Sequence, residues 1–322
     1  MNQLQWGIVG CGDVTEVKSG PALQKASRSS IAAVMRRDGE KAADYARRHG
    51  IAKSYDSAQA LIGDPDVNAV YIATPPDSHC ELTLAALKAG KPVLVEKPMS
   101  LTVEEGKTMA EAAKAAGQSL VVAFYRRALP RFEHMREIVQ DGTIGTPRCV
   151  SVVHRMQAPD SSNDTWRLDP KVGGGGFFAD MQSHTIDWLS HVFGPAREVQ
   201  AQVRRQSKNH AAEDLVSFSL GYQDVVAAGL CAYSVGEQEE SVTVLGDKGS
   251  VSMGFFRPSN ITVKTADGIR EIERPDPPHV HQPFVEKIVA HLLDGEPNPC
   301  SPEVGLQTME VLAQVYKGFD QS

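Results

Sequence analysis

The chain has 322 residues, 41% of them hydrophobic and 23% charged, the composition of a folded globular protein longer than one ordinary core serves, so two domains are expected. A formal net charge of -7 gives no reason to expect a nucleic acid partner. No apolar stretch is long enough to cross a bilayer, so no membrane partner is expected; Met1-Asn2-Gln3 runs into an apparent strand with no basic region or cleavage site, so the expected location is cytoplasmic.

From residue 6 to about 123, β-type runs alternate with helical patterns. Strands are predicted over 6–9, 31–35, 69–72, 92–96 and 120–123, and helices over 40–49, 81–89 and 103–116. Such repetition predicts an α/β domain over 1–123 whose parallel sheet is covered on both faces. The first strand runs into Gly10-Cys11-Gly12-Asp13-Val14-Thr15. Gly10 permits a tight turn, Gly12 lets backbone approach a pyrophosphate, and the helix opened by Asp13 and Val14 presents free N–H groups to its charge. Thr15 stands where the dinucleotide fingerprint has its third glycine or alanine.

The second strand ends Val34-Met35-Arg36-Arg37-Asp38. An NAD site normally offers a carboxylate here to the ribose hydroxyls; Arg36, with Arg37, suits a 2′-phosphate instead, so NADP(H) is the expected cofactor. NAD(H) is the alternative, in which the arginines are solvated and Asp38 takes the ribose. The third main strand leaves through Thr74-Pro75-Pro76-Asp77-Ser78-His79, a rigid loop that either lines the dinucleotide or merely connects strand to helix. The fourth is the apolar run Pro92-Val93-Leu94-Val95, ended by Glu96-Lys97-Pro98. Pro98 forbids its extension, so Glu96 and Lys97 sit at a carboxyl edge, where ligands bind in open parallel sheets.

After Tyr125 the rhythm changes. Helices are predicted over 131–140 and 183–192, then strands over 199–204, 215–220, 225–230, 241–245, 250–253 and 261–265, and finally helices over 283–293 and 304–316. Turn signals such as Gly246-Asp247-Lys248-Gly249 join several strands, predicting an α+β domain over 124–322 on a largely antiparallel sheet. Ahead of it lies Gly173-Gly174-Gly175-Gly176-Phe177-Phe178-Ala179-Asp180-Met181-Gln182-Ser183-His184. Four consecutive glycines carry an entropic cost and no packing value, so they point to backbone that bends sharply or approaches something closely. Asp180 and His184 are spaced i, i+4 and share a face if helical. No further ligand set accompanies them, and the five scattered cysteines lack the pairing of a zinc site, so no metal is expected.

These residues together resemble the glucose-fructose oxidoreductase, inositol dehydrogenase and rhizopine catabolism family, Gfo/Idh/MocA. The match is carried by Gly10-Cys11-Gly12, Thr74-Pro75-Pro76 with His79, Glu96-Lys97-Pro98, and Gly174-Gly175-Gly176 followed by Asp180 and His184. The resemblance implies a doubly wound Rossmann domain, then an α+β domain with a large open sheet, and NAD(P)-dependent oxidation or reduction of a sugar, polyol or related hydroxy compound. It implies Lys97, Asp180 and His184 as the catalytic group, and a homodimer or homotetramer. Trp166-Arg167 is similar to the segment that touches the cofactor in the anhydrofructose reductase branch, and Tyr125 stands where family members place a cofactor or substrate contact.

The chemistry agrees with that carry-over. Hydride transfer at a carbinol carbon requires movement of the hydroxyl proton, for which a histidine suits; a lysine can stabilise charge developing on the oxygen, and an aspartate can orient the histidine or bind a neighbouring hydroxyl. Two rivals remain. One is a trans-dihydrodiol dehydrogenase acting on aromatic diols. The other is a sensor that binds NADP(H) without turnover, which the loss of Lys97 or His184 would have favoured.

Overall fold

The computed structural model describes residues 2–157 and 166–319. The chain divides into two compact units, one comprising Met1–Ala128 with Pro277–Leu306 and the other Leu129–Asp276 with Gln307–Ser322.

The first unit opens β1 (Leu4–Val9), α1 (Asp13–Val17), α2 (Ser19–Lys25), β2 (Ser29–Met35), α3 (Gly39–His49), β3 (Lys53–Tyr55) and α4 (Ala58–Gly63). It continues with β4 (Ala69–Ile72), α5 (His79–Lys88), β5 (Val93–Val95), α6 (Val103–Ala116) and β6 (Leu120–Val122). The six strands form one parallel sheet in the order β3-β2-β1-β4-β5-β6. Every residue of β4, β5 and β6 is buried, the pattern of a sheet covered on both faces. The strand order reverses between β1 and β4, so the loops that follow these two strands diverge at the carboxyl edge. The helices are fixed by local chemistry: Thr102 and Glu105 form a reciprocal capping box on α6, and Asp38 caps α3 by accepting from the Lys41 N–H. β3 and α4 are too short to leave a periodic signal and were not foreseen in the sequence.

In the second unit α7 (Pro130–Gln140), β7 (Pro147–Arg155) and α8 (Pro170–Gly173) lead to a π-helical turn, Phe178–Gln182, which continues directly into α9 (Ser183–Phe193). Then come β8 (Glu198–Arg204), β9 (Leu215–Gly221), β10 (Val226–Ala232), β11 (Glu239–Gly246), β12 (Gly249–Met253), β13 (Ile261–Thr265) and β14 (Gly268–Ile272). They form an eight-stranded sheet, β14-β13-β12-β11-β7-β10-β9-β8, antiparallel except where β10 runs parallel to β7. In β9 the alternate residues Val216, Phe218 and Leu220 are buried, the pattern of a sheet with one face on a core. Phe132 of α7, Trp188 of α9 and Phe255 meet edge to face, and the Trp188 indole N–H donates to the Phe132 carbonyl at 3.4 Å. This cluster fixes α9 against α7.

Near its C-terminal end the chain adds α10 (Gln282–Asp294) and α11 (Pro302–Val315). In the first unit α10 packs on α2 and on the turn Tyr125–Ala128, while the Val122 N–H donates to the Cys300 carbonyl at 3.0 Å. Among the described residues no helix is long and apolar enough to cross a membrane.

Candidate active site

In the first unit the glycine turn is shaped by its neighbours. Gly10 has φ +91°, and a Cβ there would lie 2.6 Å from Thr74 Cγ2 and 3.0 Å from Thr74 N. Only glycine lets the loop after β1 pass that close to the loop after β4. The N–H groups of Gly10 and Cys11 both donate to the Met35 carbonyl, at 2.9 and 3.0 Å. Thr15 has a job of its own: the Gly12 N–H donates to its Oγ1 at 2.9 Å and its hydroxyl donates back to the Gly12 carbonyl at 2.8 Å. Close packing falls instead to Gly20, where a Cβ would lie 2.2 Å from the Thr15 carbonyl oxygen. Beside Gly12 the space is open, with nothing nearer than 4.0 Å to a Cβ placed there, and Asp13 and Val14 stand in a first helical turn, which has no intrahelical acceptors for its N–H groups. That donor set fits the pyrophosphate of a dinucleotide.

Arg36 and Arg37 are exposed at the end of β2, and no ion pair of either is found among the described residues. Arg36 lies close enough to the Cys11 thiol to oppose the effect of burial, which nevertheless pushes that thiol up to about 11. Asp38 is engaged elsewhere. The Lys41 N–H donates to its carboxylate at 3.1 Å and the Lys41 ammonium lies 3.2 Å away, and these contacts hold it below the usual carboxylate range.

His79 is fully buried and staples two loops. Its Nε2 lies 2.8 Å from the Thr74 carbonyl oxygen and its Nδ1 3.0 Å from that of Pro98, so Thr74-Pro75-Pro76 is tied to the segment after β5. Burial lowers its pKa against the pull of these carbonyls. Glu96 is held by the Tyr71 O–H, which donates to its Oε1 at 2.6 Å, and the Lys97 N–H donates to its Oε2 at 3.3 Å. Burial and the adjacent carboxylate raise the Tyr71 pKa well above the usual phenol range. Lys97 itself is half-buried at the carboxyl edge. Close by, the Tyr125 ring stacks on His281 with 4.0 Å between centroids. His281 is 2% exposed, and its pKa is pushed down to about 3 by burial and then by the charges of Lys18, Arg126 and Lys97. Its place beneath Tyr125 left no trace in the sequence, because a chain position 156 residues away (281 − 125) supplies it.

In the second unit the glycine run bends into the helix that carries Asp180 and His184. Gly174 and Gly175 have φ +76° and +156°, conformations that side chains rarely adopt. Asp180 lies in the π-helical turn and His184 in the first turn of α9, where it is 5% exposed. Arg167 Nε donates to Asp180 Oδ2 at 2.9 Å, and the guanidinium lies over the Trp166 ring, 4.3 Å from its centroid. Trp166, Arg167 and Asp180 are thus brought together. Gln182, next on the helix, lies with Nε2 2.7 Å from His154 Nδ1 and 3.4 Å from the Tyr233 hydroxyl. The residue that the sequence did not single out is Glu213. Its buried carboxylate accepts the N–H of Gly176 at 2.7 and 2.9 Å and that of Phe178 at 3.1 Å.

Comparison with known proteins agrees with this architecture. Residues 4–124 match the family model described as "Oxidoreductase family, NAD-binding Rossmann fold", and residues 132–252 match the "GFO/IDH/MocA C-terminal domain". Oxidoreductase P35 of Formosa agariphila is 36% identical over 97% of this chain and 98% of its own length. The 1,5-anhydro-D-fructose reductase of Ensifer adhaerens is 31% identical over 86% of this chain and 85% of its own. The crystal structure of the aldose-aldose oxidoreductase of Caulobacter crescentus, complexed with glycerol, is 26% identical, with a TM-score of 0.88 over 98% of this chain and 97% of that one. A Rossmann unit with a glycine turn, a Glu96-Lys97 edge and a second unit with a mostly antiparallel sheet are therefore those of an NAD(P)-binding enzyme, and the chain belongs to the Gfo/Idh/MocA oxidoreductase family.

Proposed function

We propose that this oxidoreductase works with NADP(H) and acts on a carbinol or carbonyl carbon of a sugar, cyclic polyol or sugar derivative. The observation that carries the cofactor preference is the pair Arg36 and Asp38: an exposed guanidinium follows β2, where a ribose is expected, and Asp38 two residues on caps α3. A 2′-phosphate would take up the charge of Arg36, whereas two ribose hydroxyls would meet in Asp38 a carboxylate already engaged by Lys41. The substrate class is supported by the anhydrofructose reductase and aldose-aldose oxidoreductase relatives.

When bound, the nicotinamide supplies or accepts a hydride. The chain's own residues do the rest. The N–H groups of Asp13 and Val14 receive the pyrophosphate, which Gly10 and Gly12 let approach, with Thr74, Pro75 and Pro76 beside them, and His79 keeps that loop in place. Glu96, anchored by Tyr71, positions the backbone from which Lys97 extends. Lys97 donates a hydrogen bond to the reacting oxygen and stabilises the negative charge that grows there. His184 takes or gives the hydroxyl proton. Asp180 orients the histidine or binds a neighbouring hydroxyl, and Arg167 donates to its carboxylate at 2.9 Å. Tyr125, flat on His281, offers an aromatic face to substrate.

The test is an activity screen of the purified protein against sugars, anhydrosugars, inositols and aromatic diols, each with NADPH and with NADP. Turnover of a sugar or polyol supports the reading. Turnover confined to aromatic diols would replace it with a dihydrodiol dehydrogenase.

A further inference from the structure

Glu213 is 1% exposed, and burial pushes its carboxyl up to about 7. The backbone N–H groups that donate to it lie on one short stretch. Both oxygens accept the Gly176 N–H, Oε1 also accepts the Phe178 N–H at 3.1 Å, and the Tyr316 hydroxyl donates to Oε1 at 2.8 Å. The opening N–H groups of a helix have no acceptor within it, and Glu213 supplies them from a distant part of the chain. Gly176 then passes the anchorage on, since its carbonyl accepts the Asp180 N–H at 3.1 Å. From Glu213 to the backbone of Asp180 there are thus two hydrogen bonds and a single intervening residue. The fit leaves no slack: a Cβ on Gly175 would lie 2.6 Å from the Tyr316 oxygen, and one on Gly176 would lie 2.9 Å from the Glu213 carbonyl oxygen.

We propose that Glu213 is a positioning residue for the reaction: its carboxylate, braced by Tyr316, fixes the turn from Gly176 to Gln182 and through it the placing of Asp180 and His184, without touching substrate. The proposal rests on the reading that Asp180 and His184 act in catalysis. It also gives Gly175 and Gly176 a reason, because a Cβ on either would run into the Tyr316 hydroxyl or Glu213. The titratable groups that face Glu213 are phenols. Tyr316 donates to it and is raised well above the usual range by burial, and Tyr233, beside Gln182 and Cys231, is raised by burial and feels the charge of Glu213. No cation pairs with Glu213 among the described residues.

The experiment compares wild type with Glu213→Gln, Glu213→Ala and His184→Asn, using NADPH and 1,5-anhydro-D-fructose as probes. It follows kcat and KM, NADPH affinity by fluorescence titration, and amide hydrogen exchange of residues 176–184 by mass spectrometry. A small misplacement of catalytic groups costs rate steeply, so Glu213→Gln should lose about 10-fold or more in kcat, and Glu213→Ala more than that. NADPH affinity should stay within about twofold of wild type, and exchange at residues 176–184 should speed up. The order wild type, Gln, Ala separates positioning from loss of fold, because Gln keeps the shape and one acceptor oxygen. If Glu213→Ala does not fold, Glu213→Gln decides. Wild-type kcat in Glu213→Gln, or unchanged exchange across residues 176–184, overturns the proposal. If His184→Asn keeps full turnover the reading of the site fails, whereas an inactive His184→Asn beside a fully active Glu213→Gln removes only the positioning role.

Discussion

Arg167 Nε donates to Asp180 Oδ2 at 2.9 Å, joining a residue ahead of the glycine run to the acid that follows it. Asp180 therefore does not stand as a lone carboxylate, because a guanidinium stacked on Trp166 orients it. Replacing Arg167 by Met keeps the stacking length and removes the charge. The side chains are 31% and 16% exposed, so the stability cost should be about 1 kcal/mol or less. Turnover should fall further, by about 10-fold, as the carboxylate loses its orientation. Steady-state kinetics beside thermal unfolding check this; equal small changes in both would leave Arg167 as a surface ion pair.

Glu213 predicts a pH signature in stability. Its folded-state carboxyl titrates at about 7, above the ordinary value of about 4.3 for an unfolded glutamate. Between these values the native state binds the proton and the unfolded state does not, so stability falls as pH rises across the window and levels off above it. The full difference corresponds to about 4 kcal/mol, an upper bound. Glu213→Gln lacks this titration. Urea unfolding of both proteins at pH values from about 4.5 to 8 should show the variant gaining on wild type as pH rises. A stability difference that is flat across the range would show that Glu213 is already ionised at the lower end.

Much of this was legible in the sequence and some was not, for physical reasons. The parallel sheet announced itself through buried runs such as Val93–Val95, and the antiparallel sheet through alternation such as Val216, Phe218 and Leu220. β7 escaped notice although it lies at the centre of the second sheet, because its inward alternation is only Val150 and Val152, with His154 in the third buried place. Glu213 escaped for a different reason. An acidic residue reads as solvated, and what buries this one is a glycine turn 37 residues away. Asp180 and Arg167, 13 residues apart, could each be singled out by motif but not paired. Thr15 looked like a defect in a fingerprint; its hydroxyl closes the turn on both sides of Gly12, and Gly20 supplies the close packing.

Cofactor choice should respond to Arg36 alone. Arg36→Ser should lower kcat/KM for NADPH by about 10- to 100-fold, the weight of charge-assisted hydrogen bonds to a phosphate, while leaving NADH nearly unchanged. Asp38→Asn should leave the preference intact, since Asp38 serves α3. A wild-type preference for NADH, or an Arg36→Ser variant with unaltered NADPH kinetics, would assign the ribose site to other residues.

The central claim is that His184 moves the proton while the first unit holds the dinucleotide. His184→Asn tests it most directly, with turnover and NADPH affinity measured on the same preparation. Loss of a general acid or base should lower kcat by about 100-fold or more, with NADPH affinity within about twofold of wild type. Turnover equal to wild type would contradict the account.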